Sequence, residues 1–174
     1  MDHSLKETLI GWAQEYNDPK YFTEDPIIFP KHFAEKYALS EASLADVEIS
    51  ALLAAHLAWG RRAMIVRDCG RMLDEMDWRP YDYVMNGEYR DENASLHRTI
   101  KWSEFAAICE RLRSIYREHG TLEGMTDTQI RCQIFGQKED RKAPNKKISM
   151  MRRWMVRDDG KVDLGVWKAS DKKS

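Results

Sequence analysis

The chain has 174 residues and 20.4 kDa, with 43% hydrophobic and 33% charged residues, which supports one compact domain over residues 1–174 and excludes a disordered chain. Nine Gly and five Pro exclude collagen-like or low-complexity material, and the longest uncharged stretch, 49–60, is too short to cross a bilayer. The net charge of −1 conceals a division: residues 1–130 carry 15 Lys and Arg against 23 Asp and Glu, and residues 131–174 carry 13 against 6, so the C-terminal part either attracts a local anion such as nucleic acid or pairs with the acidic body.

Met1 to Glu7 contains no basic region followed by an apolar one, so no secretory signal is read and a cytoplasmic location is expected. Ser4 with Glu7 reads as a capping box opening a helix that carries Leu5, Leu9, Trp12, Ala13 and Tyr16 on one face. Asn17-Asp18-Pro19 stops it. From there to Pro30 an ordered extended arm is expected, because its prolines forbid regular structure while Tyr21, Phe22, Ile27, Ile28 and Phe29 are too apolar for a free linker.

A short helix from Pro30 to Tyr37 follows, and Ser43 with Asp46 then opens the most apolar element, Leu44 to Trp59. Its alanines let neighbouring helices approach closely, Trp59 is expected to be buried, and Gly60 is expected to close the helix. A second helix from about Arg61 to Asp77, with Ile65, Cys69, Met72, Leu73 and Met76 inward, completes an expected helical hairpin. Pro80 and Asn86-Gly87 bracket one or two helical turns, and a polar loop runs to Lys101. Ser103 is expected to cap the clearest amphipathic helix, with Phe105, Ile108, Cys109, Leu112, Ile115 and Tyr116 inward, and His119-Gly120 ends it. A less regular stretch, 121–135, and a basic loop, 136–147, precede a last helix from Lys146 to Arg157 with Ile148, Met151, Trp154 and Met155 inward; residues 158–174 read as a flexible tail. No segment alternates with period two, so the fold class is all-α.

The usual catalytic and cofactor signatures are missing. GxSxG, GxxxxGK[ST], HExxH and GxGxxG do not occur, and no cofactor is implied. Cys69, Cys109 and Cys132 are widely spaced and odd in number, which fits reduced thiols rather than a disulfide framework or metal site. The five histidines are isolated, so no metal centre is read; His56, inside the apolar helix, suits a hydrogen-bonded core position, and His97-Arg98-Thr99 suits either a polar pocket or a surface loop. Two cationic places stand out. Arg61 and Arg62 follow the Trp59-Gly60 junction, where guanidinium forks can meet phosphate or carboxylate, and Lys146 and Lys147 open the last helix against its dipole, a conflict an anion would relieve, with Arg152 and Arg153 one turn on.

Tyr16-Asn17-Asp18-Pro19, Asp25-Pro26, Leu57 to Arg62, Pro80-Tyr81-Asp82, His97-Arg98-Thr99, Arg153 to Arg157 and Val162 to Trp167, in this order, resemble the uncharacterised bacterial domain-of-unknown-function family two-thousand-four-hundred over nearly the whole chain. More distantly the pattern is similar to the helix-hairpin-helix DNA glycosylases, all-α enzymes that flip a damaged base before cutting its glycosidic bond. Together with the basic tail, that resemblance implies DNA as partner, with contacts from Arg61, Arg62, Lys146, Lys147, Arg152 and Arg153; Trp59, His56, Asp82 and His97 are the candidate pocket residues. The resemblance implies Lys146, with Lys147 beside it, as the amine nucleophile of a bifunctional member. No LPGVG-like hairpin precedes Lys146, and the family pattern is expected to continue past Trp167 into a segment resembling the one with the glycosylase's catalytic aspartate, so the chain reads as truncated and weak in glycosidic cleavage. An interaction or structural module docking its basic tail to an acidic protein is the alternative, and a small-molecule enzyme using His97 and Asp82 a third. Oligomeric state is not legible.

Overall fold

The computed structural model describes residues 26–138, 146–156 and 164–168. The helix read over 4–16, most of the arm and Arg157 lie outside them. The fold is mostly helical: α1 (Ile28–Ala38), α2 (Leu44–His56), α3 (Arg62–Glu75), α4 (Pro80–Asn86), β1 (Ser95–His97), β2 (Ile100–Lys101), α5 (Trp102–Glu118), α6 (Asp127–Gln129), a π-helical turn (Ile130–Ile134) and α7 (Lys146–Val156).

α2 is the central helix. Ser43 Oγ accepts from the Asp46 amide while the Asp46 carboxylate accepts from the Ser43 amide, so the expected capping box starts it. Every residue from Val47 to Ala55 is buried. It packs against α1, α4 and α7, whereas α3 lies principally against β1. The hairpin expected of α2 and α3 is therefore not the main packing: an element apolar on all sides is surrounded by several neighbours, not matched to one.

α2 also ends three residues before Trp59. The Leu57, Ala58 and Trp59 amides turn back onto Leu53, Ala55 and Leu57 carbonyls, and Gly60 at φ +105 links this turn to Arg61, the N-cap of α3. Trp59 is 40% exposed, against the expectation of burial, because it lies past the helix on that turn. α1 begins at Ile28, inside the segment expected to be extended, with Pro30 tolerated in its first turn.

The inward faces expected of α3, α5 and α7 are buried as read from their periods. Two details differ. The loop before Lys101 holds the antiparallel ribbon of β1 and β2, which pairs Ser95 with Lys101 and His97 with Ile100; two such short strands leave no alternation to read. α5 starts at Trp102, and Ser103 is not its cap, because the Trp102 and Ser103 amides already donate to the Ala94 and Glu92 carbonyls. Residues 164–168, inside the segment read as a flexible tail, are docked: the Leu164 and Trp167 amides donate to the Trp154 and Met155 carbonyls, and the indole Nε1 of Trp167 donates to Glu48 Oε2 at 2.7 Å.

Candidate functional site

Two polar clusters converge where α2 ends. The first is built on α7. Lys147 stands in its first turn, half-buried, with Nζ 3.2 Å from Nδ1 of His56, the last residue of α2, and 3.7 Å from the centre of the Phe135 ring. His56 in turn stacks on Phe135 at 4.8 Å. Phe135 follows the π-helical turn, which also carries the buried Arg131. A π-turn is an uncommon way to build a helix and often marks a functional position; here it delivers an aromatic wall and a second cation to the same lysine.

The electrostatics follow from that packing. Burial first, and then the Arg131 charge, lower the Lys147 ammonium to about 8. Burial, then the charges of Lys147 and His97, lower His56 to about 3. His56 is therefore a neutral imidazole in this site, and its Nδ1 accepts from the lysine.

The second cluster joins β1 to α3. His97 and Asp68 are wholly buried, with Nδ1 2.6 Å from Asp68 Oδ2, and His97 Nε2 lies 2.8 Å from the Trp59 carbonyl. Burial raises the Asp68 carboxyl, but hydrogen bonds from Arg67, His97 and Arg71 outweigh it and hold the group below its ordinary value. Both ring nitrogens of His97 thus face oxygens, and the ring is tied between the Asp68 carboxylate and the α2–α3 turn. Arg71 Nη1 also reaches the Leu96 carbonyl, which ties α3 to β1. Arg98, at the ribbon tip, lays its guanidinium over Trp59, 4.4 Å from the ring centre.

The residues singled out in the sequence part into groups. His56, Trp59, Lys147 and His97 are brought together at the end of α2, and Arg61 follows Trp59 by one glycine, exposed. Lys146 is exposed beside Ser149, Met150 and Arg153, lining an open depression of about 490 Å³. Arg62 is exposed at the start of α3. Arg152 turns elsewhere: its Nε donates to Asp127 Oδ1 at 2.6 Å and its Nη2 to the Met125 carbonyl, so it braces α7 against α6. Asp82 accepts from Asn86 Nδ2 and lines a separate groove of about 640 Å³ with Phe33, Lys36, Trp78 and Arg79, apart from the His97 cluster.

Sequence reasoning missed Asp68, Arg131, Phe135 and the buried Glu48. Two of these carried a signal. Asp68 lies three residues from Ile65 on the inward stripe of α3, and Glu48 stands between Val47 and Ile49 in a helix with almost no polar face; a carboxylate in such a place needs internal donors. Arg131 and Phe135 carried none, because π-turn geometry has no local pattern. No group of three or more metal-ligating side chains occurs among the described residues, and no described helix is long and apolar enough to cross a membrane.

The family whose pattern matches is described as a protein of unknown function, DUF2400, over residues 25–133 and 125–174. The chain belongs to this family. No curated protein and no solved structure gives a significant match. In this DUF2400 chain the matched residues include both clusters, from Asp68 and His97 to Lys147.

Proposed function

We propose that the protein contacts DNA and is glycosylase-like, of the base-excision type, with an amine at the start of α7 as its reactive group. The observation that carries the reading is Lys147: an amine lowered to about 8, held between a neutral imidazole and an aromatic face. Attack on a sugar aldehyde requires the free amine, and a group with that value is about one-tenth unprotonated at pH 7, far more than an ordinary lysine. His56 Nδ1 accepts a hydrogen bond from the lysine and orients it, and the proton the amine releases passes to water. Lys146, exposed next to Lys147, and the exposed Arg61 suit phosphate contacts. Of the adjacent pair Lys147 has the environment the chemistry needs, and Lys146 stands as the alternative nucleophile.

The reaction is an imine condensation. Lys147 nitrogen bonds to C1′ of an abasic sugar in its aldehyde form, the aldehyde oxygen leaves as water after two proton transfers, and the C=N bond remains. Borohydride reduces that bond to a stable amine. Trapping on abasic duplex DNA is therefore expected with wild-type and Lys146→Ala protein and lost in Lys147→Ala; trapping lost only in Lys146→Ala transfers the role to that residue, and trapping in neither wild-type nor variants removes the reaction. Filter binding to duplex and abasic DNA over a salt series tests the contact itself, for which affinity must fall as salt rises. Binding that is absent at low salt rejects the DNA reading.

A further inference from the structure

The ribbon tip holds an arrangement that the amine at Lys147 does not use. Trp59 is 40% exposed, while Trp78, Trp102, Trp154 and Trp167 are at most 5% exposed. Its placement is nevertheless fixed from several sides. The buried His97 ring meets it edge-on at 5.7 Å and holds its backbone carbonyl. Arg98 covers it from the two-residue turn between β1 and β2, where its φ is +54, a left-handed conformation that an arginine enters only at a cost. Gly60, at φ +105, leaves the room: a Cβ there would stand 2.5 Å from Arg98 Nη1. Among the described residues no carboxylate accepts from the Arg98 guanidinium, and Arg61 is exposed immediately after Gly60.

We infer that Trp59 and Arg98 form a stacking platform for an unpaired nucleobase, with Arg61 and the edge of the Arg98 guanidinium receiving the adjoining phosphate. A guanidinium lying on an indole carries its charge and its donors outward together. A base with an exposed face adds to such a stack whatever its identity, whereas a base inside a duplex offers no free face. The inference rests on the DNA-contacting reading and names which nucleic acid surface this corner takes: an unstacked base and its phosphate.

Fluorescence anisotropy of the full chain with a short labelled oligothymidylate strand, and with a duplex of equal length, tests it. Arg98→Ala is expected to weaken the single strand about tenfold or more, and to lower the salt slope by about 0.7, the share of one lost phosphate contact. Arg98→Lys keeps the charge without the plane, so the slope is expected to persist while most of the affinity is still lost. Trp59→Leu is expected to weaken binding by a similar factor, with circular dichroism confirming the fold of each variant. Single-strand affinity unchanged in Arg98→Ala and Trp59→Leu overturns the platform while leaving DNA contact in place, as does binding to duplex alone. Failure of both nucleic acids to bind removes the platform and the DNA reading together.

Discussion

Lys147 is held in a place that penalises its charge. In the folded chain burial and Arg131 lower it from 10.5 to about 8, so between those values the unfolded chain binds more protons than the folded one. Stability therefore rises as pH climbs from about 8 to 10.5, and the penalty is present in full below 8; its size is on the order of 3 kcal/mol at most. Lys147→Met keeps the packing on Phe135 and removes the charge, so it is expected to stabilise the protein near neutral pH by about 1–2 kcal/mol and to flatten that rise. Urea unfolding across the range checks this, and wild-type stability with an undiminished slope would show that the amine is not strained. His56 works in the opposite pH region: lowered from 6.5 to about 3, it binds fewer protons folded than unfolded between those values. The stability it contributes is lost as pH falls through that window.

At the scale of elements, the junction between α2 and α3 determines what the site presents. His97 holds the Trp59 carbonyl, Arg98 lies over the indole, and Gly60 supplies the one backbone conformation that lets the chain pass beneath the guanidinium. Gly60→Ala places a side chain at φ +105, outside the regions an alanine favours. The expected cost is about 1–3 kcal/mol. The Arg98 side chain must also move, since its flexible end is what a Cβ meets. Thermal unfolding measures the first effect, and a shifted Trp59 emission, read against Trp59→Phe, measures the second. An unfolding midpoint unchanged from wild type would mean that the junction relaxes freely.

Across the molecule, Glu48 ties distant parts of the chain to the central helix. Its carboxylate, wholly buried, accepts from the Tyr116 hydroxyl at 2.9 Å, the Thr121 hydroxyl at 2.6 Å, the Leu122 amide at 3.1 Å and the Trp167 indole at 2.7 Å. Beside that carboxylate, burial first and then its charge push the Tyr116 phenol well above its ordinary value. Glu48→Gln turns one acceptor into a donor facing donors, and a cost of about 2–4 kcal/mol is expected. Because Trp167 is one of the four partners, the Leu164 and Trp167 amides are expected to exchange hydrogen markedly faster in this variant, with α5 less affected. Mass-resolved hydrogen exchange distinguishes the cases: uniform acceleration would mean that Glu48 supports the whole core and not the docked C-terminal segment.

Much of this fold was legible one element at a time. The capping box of Ser43 and Asp46, the inward stripes of α3, α5 and α7, and the stop at His119-Gly120 all depend on residues three or four apart, and such neighbours meet in any helix. The cationic start of α7 and the polar motif at His97 were visible for the same reason: residue type and adjacency are local properties. Which lysine of the pair turns inward, why His56 is neutral, what holds His97 and why Trp59 is exposed were decided only by tertiary structure. The deciding contacts span 29 residues for Asp68 with His97, 91 for His56 with Lys147 and 119 for Glu48 with Trp167. Charge and hydrogen bonding act through space, so an amine acquires its value from the aromatic wall, imidazole and guanidinium that folding sets beside it, and no spacing along the chain records them.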